Sequence, residues 1–346
     1  MLQNHPKVRA RAPLRLGLAG GSTDLSPYCE IYGGAVLNAT IDRFAHASLQ
    51  VGGGDVVMRA CDLDVEERTP VREMNVKGQL GLHRAVYMRI ERDYLDGRGP
   101  GLSLTTMIDA PPGSGLGSSS ALVVAMVEAF RVAFDLPLGR YDVARLAFEI
   151  ERQDLGLAGG RQDQYAAAFG GVNFIEFLPE DRVIVNPLRL SSGIINEMQS
   201  SLIVCFSGQS RASHEIITDQ IAHVKRKDNA PLDGMHQLKQ DAFDMKTALL
   251  RGDFDEMSRI LAQSWIAKKA TAASVSNDHI EKLWTAAHEA GAKSGKVSGA
   301  GGGGFLMFMI DPERRSDLMR ALRIAGGEPD TVSFTAEGVE GWATRF

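Results

Sequence analysis

Cysteine is scarce in this chain. Its 346 residues include only three, Cys29, Cys61 and Cys205, and these lie far apart. An odd number of widely spaced cysteines fits neither a disulfide framework nor a zinc site, for which closely spaced pairs are typical. We therefore expect buried thiols in a reducing compartment and predict a cytoplasmic location.

Dense positive charge and long apolar runs are also missing. The formal net charge is −5, and the basic cluster "KRK" at 225–227 is short. Proteins that bind nucleic acid by neutralising its phosphates carry more positive charge. Apolar runs such as "ALVVAM" at 121–126 are far shorter than a membrane-spanning helix, and the N-terminus lacks the apolar core of a signal peptide. We expect neither nucleic acid nor a membrane as a partner.

Two common nucleotide-binding motifs are not found. The P-loop pattern fails because Gly295-Lys296 is followed by Val297, and the first glycine of the pattern is missing. The stretch "GSGLGS" at 113–118 resembles a dinucleotide fingerprint, but its third glycine, Gly117, comes one position early. The first observation excludes a P-loop, and the second disfavours a dinucleotide site.

Apolar periodicity indicates a mixture of helices and strands. Alternation predicts strands at 7–18, 34–41, 44–51 and 102–108 and in "VNFIEF", "VIVNPLRL" and "SLIVCF". Helical spacing predicts helices near 82–95, 118–134, 141–153, 211–226, 236–250, 254–269, 277–290 and 313–325. Strands and helices do not alternate regularly, which favours an α+β fold with antiparallel hairpins. The length favours two domains, with a boundary in "LRLSSGIINEMQS" at 188–200.

A glycine- and serine-rich stretch connects a predicted strand to a predicted helix. "DAPPGSGLGSSSALVV" at 109–124 contains three glycines and four serines. A loop with so few side chains lets backbone amides approach a ligand, and the positive end of the helix dipole favours an anion there. The serines are expected to cap the helix through their hydroxyls. The stretch predicts a phosphate site, although a single loop of this kind is also a common plain connection.

Three motifs together resemble the GHMP kinases. "PPGSGLGSSSA" at 111–121 is similar to the ATP-phosphate loop of that family, "APLRLGLAGGSTDL" at 12–25 to its substrate motif, and "KVSGAGGGGF" at 296–305 to its C-terminal glycine motif. They occur in the family's order and span nearly the whole chain. The resemblance implies an α+β fold of two domains with the active site between them. Residues 1–192 would resemble the second domain of ribosomal protein S5, and residues 193–346 would be ferredoxin-like.

The resemblance implies ATP and Mg²⁺ as cofactors. The residues expected around the ATP phosphates are Gly113, Ser114, Gly115, Leu116, Gly117, Ser118 and Ser119. Ser119 matches the serine that reaches Mg²⁺, and Glu151 in "FEIERQD" matches the metal-binding glutamate, with Glu149 and Asp154 as neighbouring alternatives. Ser120 stands where relatives often carry alanine, which leaves its role open between this site and helix capping.

Two residues are expected to carry the chemistry. "GGRQDQY" at 159–165 resembles a segment in which the aspartate, here Asp163, deprotonates or orients the accepting hydroxyl. Arg15, the basic residue of the N-terminal motif, is its natural partner and would also steady developing phosphate charge. Asp163 as a simple helix cap is the competing interpretation.

The acceptor is expected to be a sugar that already carries a phosphate. "GGSTDL" at 20–25 has Gly-Ser where sugar kinases of the family have Glu-His, but it keeps the Thr-Asp pair. Four stretches carry a closer resemblance: "PLRLGLAGGSTDL" at 13–25, "GRQDQYAAAFGG" at 160–171, "SGQSRASHEI" at 207–216 and "KVSGAGGGGFLMF" at 296–308. Together they are most similar to the D-glycero-D-manno-heptose 7-phosphate kinases, which act on an anomeric hydroxyl in the synthesis of surface polysaccharide. Four cations could hold the remote phosphate: Arg161, Arg211, Lys268 and Lys269. The full set of expected substrate residues also includes Gly20, Gly21, Ser22, Thr23, Asp24, Gly301 and Gly302.

Two alternatives remain open from the sequence. One is a GHMP kinase for an unphosphorylated sugar such as fucose or galactose, which would need no second anion site. The other is a catalytically silent sensor of sugar and ATP, which would not need to keep Asp163, Ser119 and Arg15. The expected partners are small molecules, ATP and a phosphosugar, and a homodimer is a further option.

Overall fold

The computed structural model describes residues 7–209 and 213–344. The strands are β1 (Val8–Ala19), β2 (Gly34–Val51), β3 (Asp55–Ala60), β4 (Val65–Pro70), β5 (Leu102–Ile108), β6 (Val172–Phe177), β7 (Val183–Pro187), β8 (Leu202–Phe206), β9 (Ser294–Val297), β10 (Phe305–Met309), β11 (Glu328–Thr331) and β12 (Glu340–Ala343). The helices are α1 (Tyr28–Tyr32), α2 (Gly81–Tyr94), α3 (Ser118–Ala133), α4 (Arg140–Glu149), α5 (Gln162–Phe169), α6 (Ser192–Ser201), α7 (Ser213–Arg226), α8 (Asn229–Arg251), α9 (Phe254–Thr271), α10 (Asp278–Glu289) and α11 (Arg315–Ile324). None of these helices is long and apolar enough to cross a bilayer.

The larger of two sheets has eight strands. Its order is β12-β1-β2-β5-β3-β4, with β6 paired to β2 and β7 to β6. The long strand β2 holds this sheet together, because its first half pairs with β6 and its second half with β5. The sequence predicted two strands, at 34–41 and 44–51, but the backbone stays extended between them. A register shift in β1 between Pro13 and Arg15 accompanies this continuous pairing.

The smaller sheet has four antiparallel strands in the order β11-β8-β10-β9. Its core includes Ile203, Leu306 and Phe308, and α10 and α11 contribute Leu283 and Leu318 to the same cluster. Antiparallel hairpins were predicted from the sequence and are present.

Some elements differ from the sequence prediction. The predicted boundary segment at 188–200 contains most of α6, whose N-terminus is capped by the Ser191 hydroxyl accepting a bond from the Ile194 amide. The chain also returns at its end to the larger sheet, where β12 pairs with β1. The division into 1–192 and 193–346 stays a prediction.

The phosphate loop lies between β5 and α3. The residue at the N-terminal cap of α3 is Gly117, with φ 74°, and no side chain caps this end. The serines were predicted to cap the helix, and this prediction is wrong, because a left-handed glycine makes the turn and the serines fall inside the first helical turn. Amides at this end therefore stay available to a ligand.

Candidate active site

The three motifs meet at one open cleft. Its walls include the phosphate loop and α3, the turn after α4, the start of α5, and the C-terminal glycine motif. The lining residues are Arg15, Gly113, Gly115, Gly117, Ser118, Ser119, Ser120, Glu151, Arg152, Leu157, Ala158, Gly159, Gly160, Asp163, His214, Ile217, Gly299 and Ala300. Residues that lie up to 285 positions apart in the sequence therefore share one site.

Arg15 joins the three motifs. Its side chain is only 5% exposed, and Nε and Nη2 lie 2.8 and 2.7 Å from Asp163 Oδ1. Nη1 donates to the Gly115 carbonyl at 2.7 Å and to the Ser298 hydroxyl at 3.4 Å. The predicted pairing with Asp163 is thus present, and the same guanidinium also ties the phosphate loop to the glycine motif.

The phosphate loop and the glycine motif pack backbone against backbone. The Phe305 amide donates to the Ser114 carbonyl at 2.8 Å. A Cβ at Gly115 would lie 2.5 Å from the Ser298 carbonyl oxygen, and one at Gly299 would lie 2.8 Å from the Gly115 carbonyl oxygen. Only glycine permits this approach, so the second motif supports the shape of the first.

Leu116 contributes backbone rather than side chain to this site. Its side chain is buried in the core, and its carbonyl accepts a bond from the Arg15 amide at 2.9 Å. Ser114 is fully buried, and its hydroxyl accepts a bond from the Leu116 amide at 3.4 Å. Both residues shape the loop from within, whereas Ser118 and Ser119 line the cleft.

Ser119 and Glu151 form the candidate metal site. The Ser119 hydroxyl donates to Glu151 Oε1 at 3.0 Å, and Glu151 is 1% exposed. The Gln164 side-chain amide donates to the other oxygen of Glu151 and to the Ser120 hydroxyl, the latter at 3.0 Å. Ser120 therefore belongs to this hydrogen-bond network and does not cap α3.

The neighbouring carboxylates, Glu149 and Asp154, point elsewhere. Both pair with Arg89, and neither lines the cleft. Of the three candidate carboxylates in "FEIERQD", the structure brings Glu151 alone to the phosphate loop.

Asp24 connects the N-terminal substrate motif at 12–25 to the start of α5. Its Oδ2 accepts a bond from the Gln162 amide at 3.0 Å, and its Oδ1 accepts one from the Gln162 side chain at 2.9 Å. Burial raises the pKa of Asp24, and the bond from the Gln162 amide acts in the opposite direction. Because Gln162 precedes Asp163, Asp24 helps to place the candidate base, and its expected contact with a substrate stays a prediction.

Ser22 and Lys268 form a buried contact beside Asp24. Lys268 is 2% exposed, and its Nζ donates to the Ser22 hydroxyl at 3.2 Å. Ser22 has a positive φ of 88°, which is uncommon for a residue with a side chain and often marks a functional constraint. Gly21 lies directly next to this pair, since a Cβ there would be 4.0 Å from Lys268 Nζ.

Other residues of the expected substrate set have structural contacts. The Thr23 hydroxyl donates to the carbonyls of Gly20 and Ala35 and is fully buried. Gly301 and Gly302 pack against the backbone of Val275, and the Gly302 amide donates to the Val275 carbonyl at 2.8 Å. They support the fold around the site, and a substrate role for them stays a prediction.

The candidate cations for the remote phosphate differ in their partners. Arg161 pairs with Glu30 and Asp181, and Lys269 pairs with Glu281 at 3.2 Å. Arg211 lies outside the described residues. Among the candidates that the structure describes, Lys268 alone has no acidic partner within salt-bridge distance. It also contacts Ser22 of the substrate motif at 12–25.

Sequence reasoning did not single out several residues of the site. Gln162 and Gln164 hold the carboxylates of Asp24 and Glu151, and Ser298 bonds Arg15. Lys296 is buried near Lys268 and donates to the Leu18 carbonyl at 3.2 Å. These residues stand inside quoted motifs, but their roles depend on which way each side chain turns.

Comparisons with known proteins assign the chain to a family. The model of the GHMP kinases N terminal domain matches residues 82–171, and the GHMP kinases C terminal model matches residues 245–328. The chain is 44% identical over 97% of its length to D-glycero-alpha-D-manno-heptose 7-phosphate kinase of Campylobacter jejuni, and the match covers 98% of that protein. The chain belongs to the GHMP kinase family.

Solved structures extend the likeness to the fold of this GHMP kinase. A D-glycero-D-manno-heptose 1-phosphate kinase from Bacteroides thetaiotaomicron has a TM-score of 0.82 and 42% identity, with 98% of this chain and 100% of that chain covered. Lactococcus lactis galactokinase, at 17% identity, shares the fold with a TM-score of 0.77 over 97% of this chain and 95% of its own. The predicted α+β GHMP kinase fold and the kinase activity are confirmed, and ATP use follows from the family.

Proposed function

We propose that this kinase transfers the γ-phosphoryl group of ATP to the anomeric hydroxyl of D-glycero-D-manno-heptose 7-phosphate. The product would be heptose 1,7-bisphosphate, an intermediate for nucleotide-activated heptose and surface polysaccharide. The relative from Campylobacter jejuni is named for a heptose 7-phosphate, whereas the protein from Bacteroides thetaiotaomicron is named for a heptose 1-phosphate. We favour the 7-phosphate because it leaves the anomeric hydroxyl free to react.

The observation that carries the proposal is the buried Lys268. Its ammonium group is 2% exposed and bonds a neutral hydroxyl, that of Ser22. A buried cation without a bonded counter-charge is costly, which makes this position a good site for an anion. A phosphate at the far end of the sugar would supply that charge, and an unphosphorylated sugar would not.

Asp163 has the geometry of the acceptor's base. Both contacts from Arg15 fall on Oδ1, and Oδ2 has no bond from a described residue. Oδ2 would take the proton as the anomeric oxygen forms a bond to the γ-phosphorus and the bond from that phosphorus to the bridging oxygen breaks, releasing ADP. Arg15 holds the carboxylate in place for this step.

The residues at the phosphate loop fit Mg²⁺. Glu151 and the Ser119 hydroxyl would hold it, and phosphate oxygens and water would complete the oxygen shell that Mg²⁺ prefers. Among the described residues, no cluster of three or more His, Cys, Asp or Glu side chains could hold a metal by itself, in keeping with such a shared site. When bound, the ion neutralises the phosphates of ATP.

Changing Lys268 tests the second anion site. Burial lowers the pKa of Lys268 to about 8, with Asp24 nearby acting in the opposite direction and Arg15 in the same one. Lys268 therefore loses its charge as pH rises through that value, and kcat/KM for the phosphosugar should fall there.

Lys268→Met should raise KM for the phosphosugar about 10- to 100-fold, the value of a charge-assisted hydrogen bond. Lys268→Arg should retain binding and lose the pH dependence, because arginine stays charged.

Two control variants would show whether Lys268 binds the remote phosphate of the sugar. Lys296 lies close and burial lowers its pKa to about 7, so the pH profile is also recorded for Lys296→Met. The same substitution at Lys269, which pairs with Glu281, tests the competing cation. If Lys268→Met raises KM equally for mannose and the phosphosugar, Lys268 does not bind the remote phosphate.

Two further expectations belong to this proposal. A sugar kinase that draws on the ATP pool would work in the cytoplasm, as the low cysteine content also suggests. A homodimer stays an open prediction.

A further inference from the structure

The guanidinium of Arg15 is largely engaged by the protein. Its contacts with Asp163, the Gly115 carbonyl and the Ser298 hydroxyl use four of its five N–H donors. The sequence predicted that Arg15 also steadies phosphate charge, and one N–H of Nη2 is left for that contact. Phosphoryl transfer spreads negative charge over the moving group and is accelerated by a cation there. A single free donor makes a poor clamp for several phosphate oxygens, so a second cation in the cleft would strengthen this contact.

Arg152 lies in the same cleft as the phosphate loop and the candidate metal ligands. It belongs to a π-helical turn, Ile150–Asp154, that directly follows α4. Its guanidinium lies on the backbone of Gly159, where a Cβ would be 2.2 Å from Arg152 Cζ. The glycine thus leaves room for an arginine that lies 16% exposed at the cleft wall.

The hydrogen bonds of Arg152 are few and long. Nη1 lies 3.4 Å from the carbonyl oxygens of Leu157 and Ala158, and Nη2 lies 4.0 Å from Glu151 Oε2. Nε is buried and has no hydrogen-bond partner among the described residues. Arg84, by contrast, bonds Glu67 at 2.7 Å and Thr69 at 2.8 Å. The Nη2 donors of Arg152 have no hydrogen bond to a described residue and are therefore left for a ligand. The unpartnered Nε is itself uncommon, because buried guanidinium donors usually have partners.

We propose that Arg152 binds the phosphoryl group during its transfer from ATP to the sugar. Its position beside Glu151, which bonds Ser119, places it on the phosphate side of the cleft. A planar guanidinium can offer two parallel donors to phosphate oxygens. It would stabilise charge on those oxygens while the acceptor oxygen bonds to phosphorus and ADP leaves with the bridging oxygen. The phosphate of the sugar is the other possible source of this chemistry, because Gly160 next to Gly159 contacts Asp24.

Arg152→Gln and Arg152→Lys test the assignment. We expect Arg152→Gln to lower kcat about 10²- to 10³-fold, as removal of one preorganised donor does in other enzymes. Binding of ADP should stay unchanged, whereas a non-hydrolysable ATP analogue should bind more weakly. Arg152→Lys should have a higher kcat than Arg152→Gln, because lysine keeps the positive charge but lacks the two parallel donors of a guanidinium. Arg145→Gln is the matched control, because Arg145 is an exposed arginine on the preceding helix that pairs with Glu149.

Three results would overturn the assignment. Unchanged kcat in Arg152→Gln would remove the residue from the reaction. A higher KM for the phosphosugar alone, with kcat kept, would place Arg152 on the sugar's phosphate. Equal losses of ADP and ATP-analogue binding in both variants, with lower melting temperatures, would show that Arg152 only holds the loop at 157–160.

The inference rests on the proposed kinase chemistry but not on the identity of the sugar. The nucleotide-binding comparison needs no sugar, and kcat is measured with whichever acceptor the unmodified enzyme uses. Failure of the heptose assignment would appear as a different acceptor for the unmodified enzyme, whereas failure of this inference would appear only in the Arg152 variants.

Discussion

Replacing Asp163 with alanine should lower kcat by about 10²- to 10⁴-fold, the usual contribution of a general base. Affinity for ATP should stay nearly intact, because the proposed role of the carboxylate is on the accepting hydroxyl, whereas the loop at 113–119 is expected to hold the phosphates. Steady-state kinetics together with calorimetric titration of a non-hydrolysable ATP analogue would separate the two effects. Unchanged turnover would remove Asp163 from the mechanism.

Asp163→Asn provides the control for folding. Asp163 pairs with the buried Arg15, so alanine leaves that guanidinium without its partner and should destabilise the protein. Asparagine keeps a side chain of similar shape that can still accept a bond from Arg15, but it cannot take a proton from the sugar. A variant with a near-normal melting temperature and strongly reduced kcat would assign the loss to proton transfer rather than to unfolding.

Replacing Gly115 with alanine should impair ATP use about 100-fold in kcat/KM, the scale expected when reacting groups are misplaced by about 1 Å. Gly115 has φ 74°, and a Cβ there would lie 2.5 Å from the Ser298 carbonyl oxygen. The phosphate loop and the glycine motif must therefore separate to accept the new methyl group. Kinetics with ATP as the varied substrate would measure the effect.

Gly97→Ala is a matched comparison for the backbone cost. Gly97 has a similar φ of 69°, but a Cβ there would meet nothing within 4 Å. Both variants bear the left-handed conformation of alanine, which costs about 1 to 2 kcal/mol. Gly97→Ala should thus lower stability with normal kinetics. If the two variants behave alike toward ATP, the contact with Ser298 has no role in shaping the phosphate loop.

The sequence motifs were sufficient to predict the fold class and the meeting of Arg15 with Asp163. They were sufficient because they resemble motifs of a known family in their order along the chain. The backbone contact between Gly115 and Gly299 could not be predicted in this way, because it depends on how the two loops pack. The catalytic roles of these residues remain predictions that the variants above would test.

The choice between Lys268 and Lys269 could not be made from the sequence. Neighbouring residues of a helix point about 100° apart, and the rotation of α9 depends on its packing against other elements. The structure buries Lys268 beside Ser22 and leaves Lys269 at the surface with Glu281. A basic pair in the sequence thus becomes one candidate anion ligand and one surface ion pair.

The pairing of strands far apart in the sequence could not be predicted either. The strand β12 begins 321 positions after the end of β1, and its short sequence "EGWA" has no clear alternation, so only tertiary pairing defines it as a strand. Arg152 lies in "FEIERQD", where the carboxylates match the family's motif and nothing in the sequence marks the arginine. Its orientation into the cleft depends on a π-helical turn and on Gly159, neither of which apolar periodicity predicts.

The most direct test is ATP consumption, with and without Mg²⁺, across a panel of acceptors. The panel holds D-glycero-D-manno-heptose 7-phosphate, the corresponding 1-phosphate, mannose, fucose, galactose, mevalonate and homoserine. We predict Mg²⁺-dependent turnover with the 7-phosphate and a product phosphorylated at the anomeric carbon. Turnover restricted to fucose or galactose, or to the 1-phosphate, would contradict the proposed acceptor, and no turnover with any sugar would favour a silent sensor.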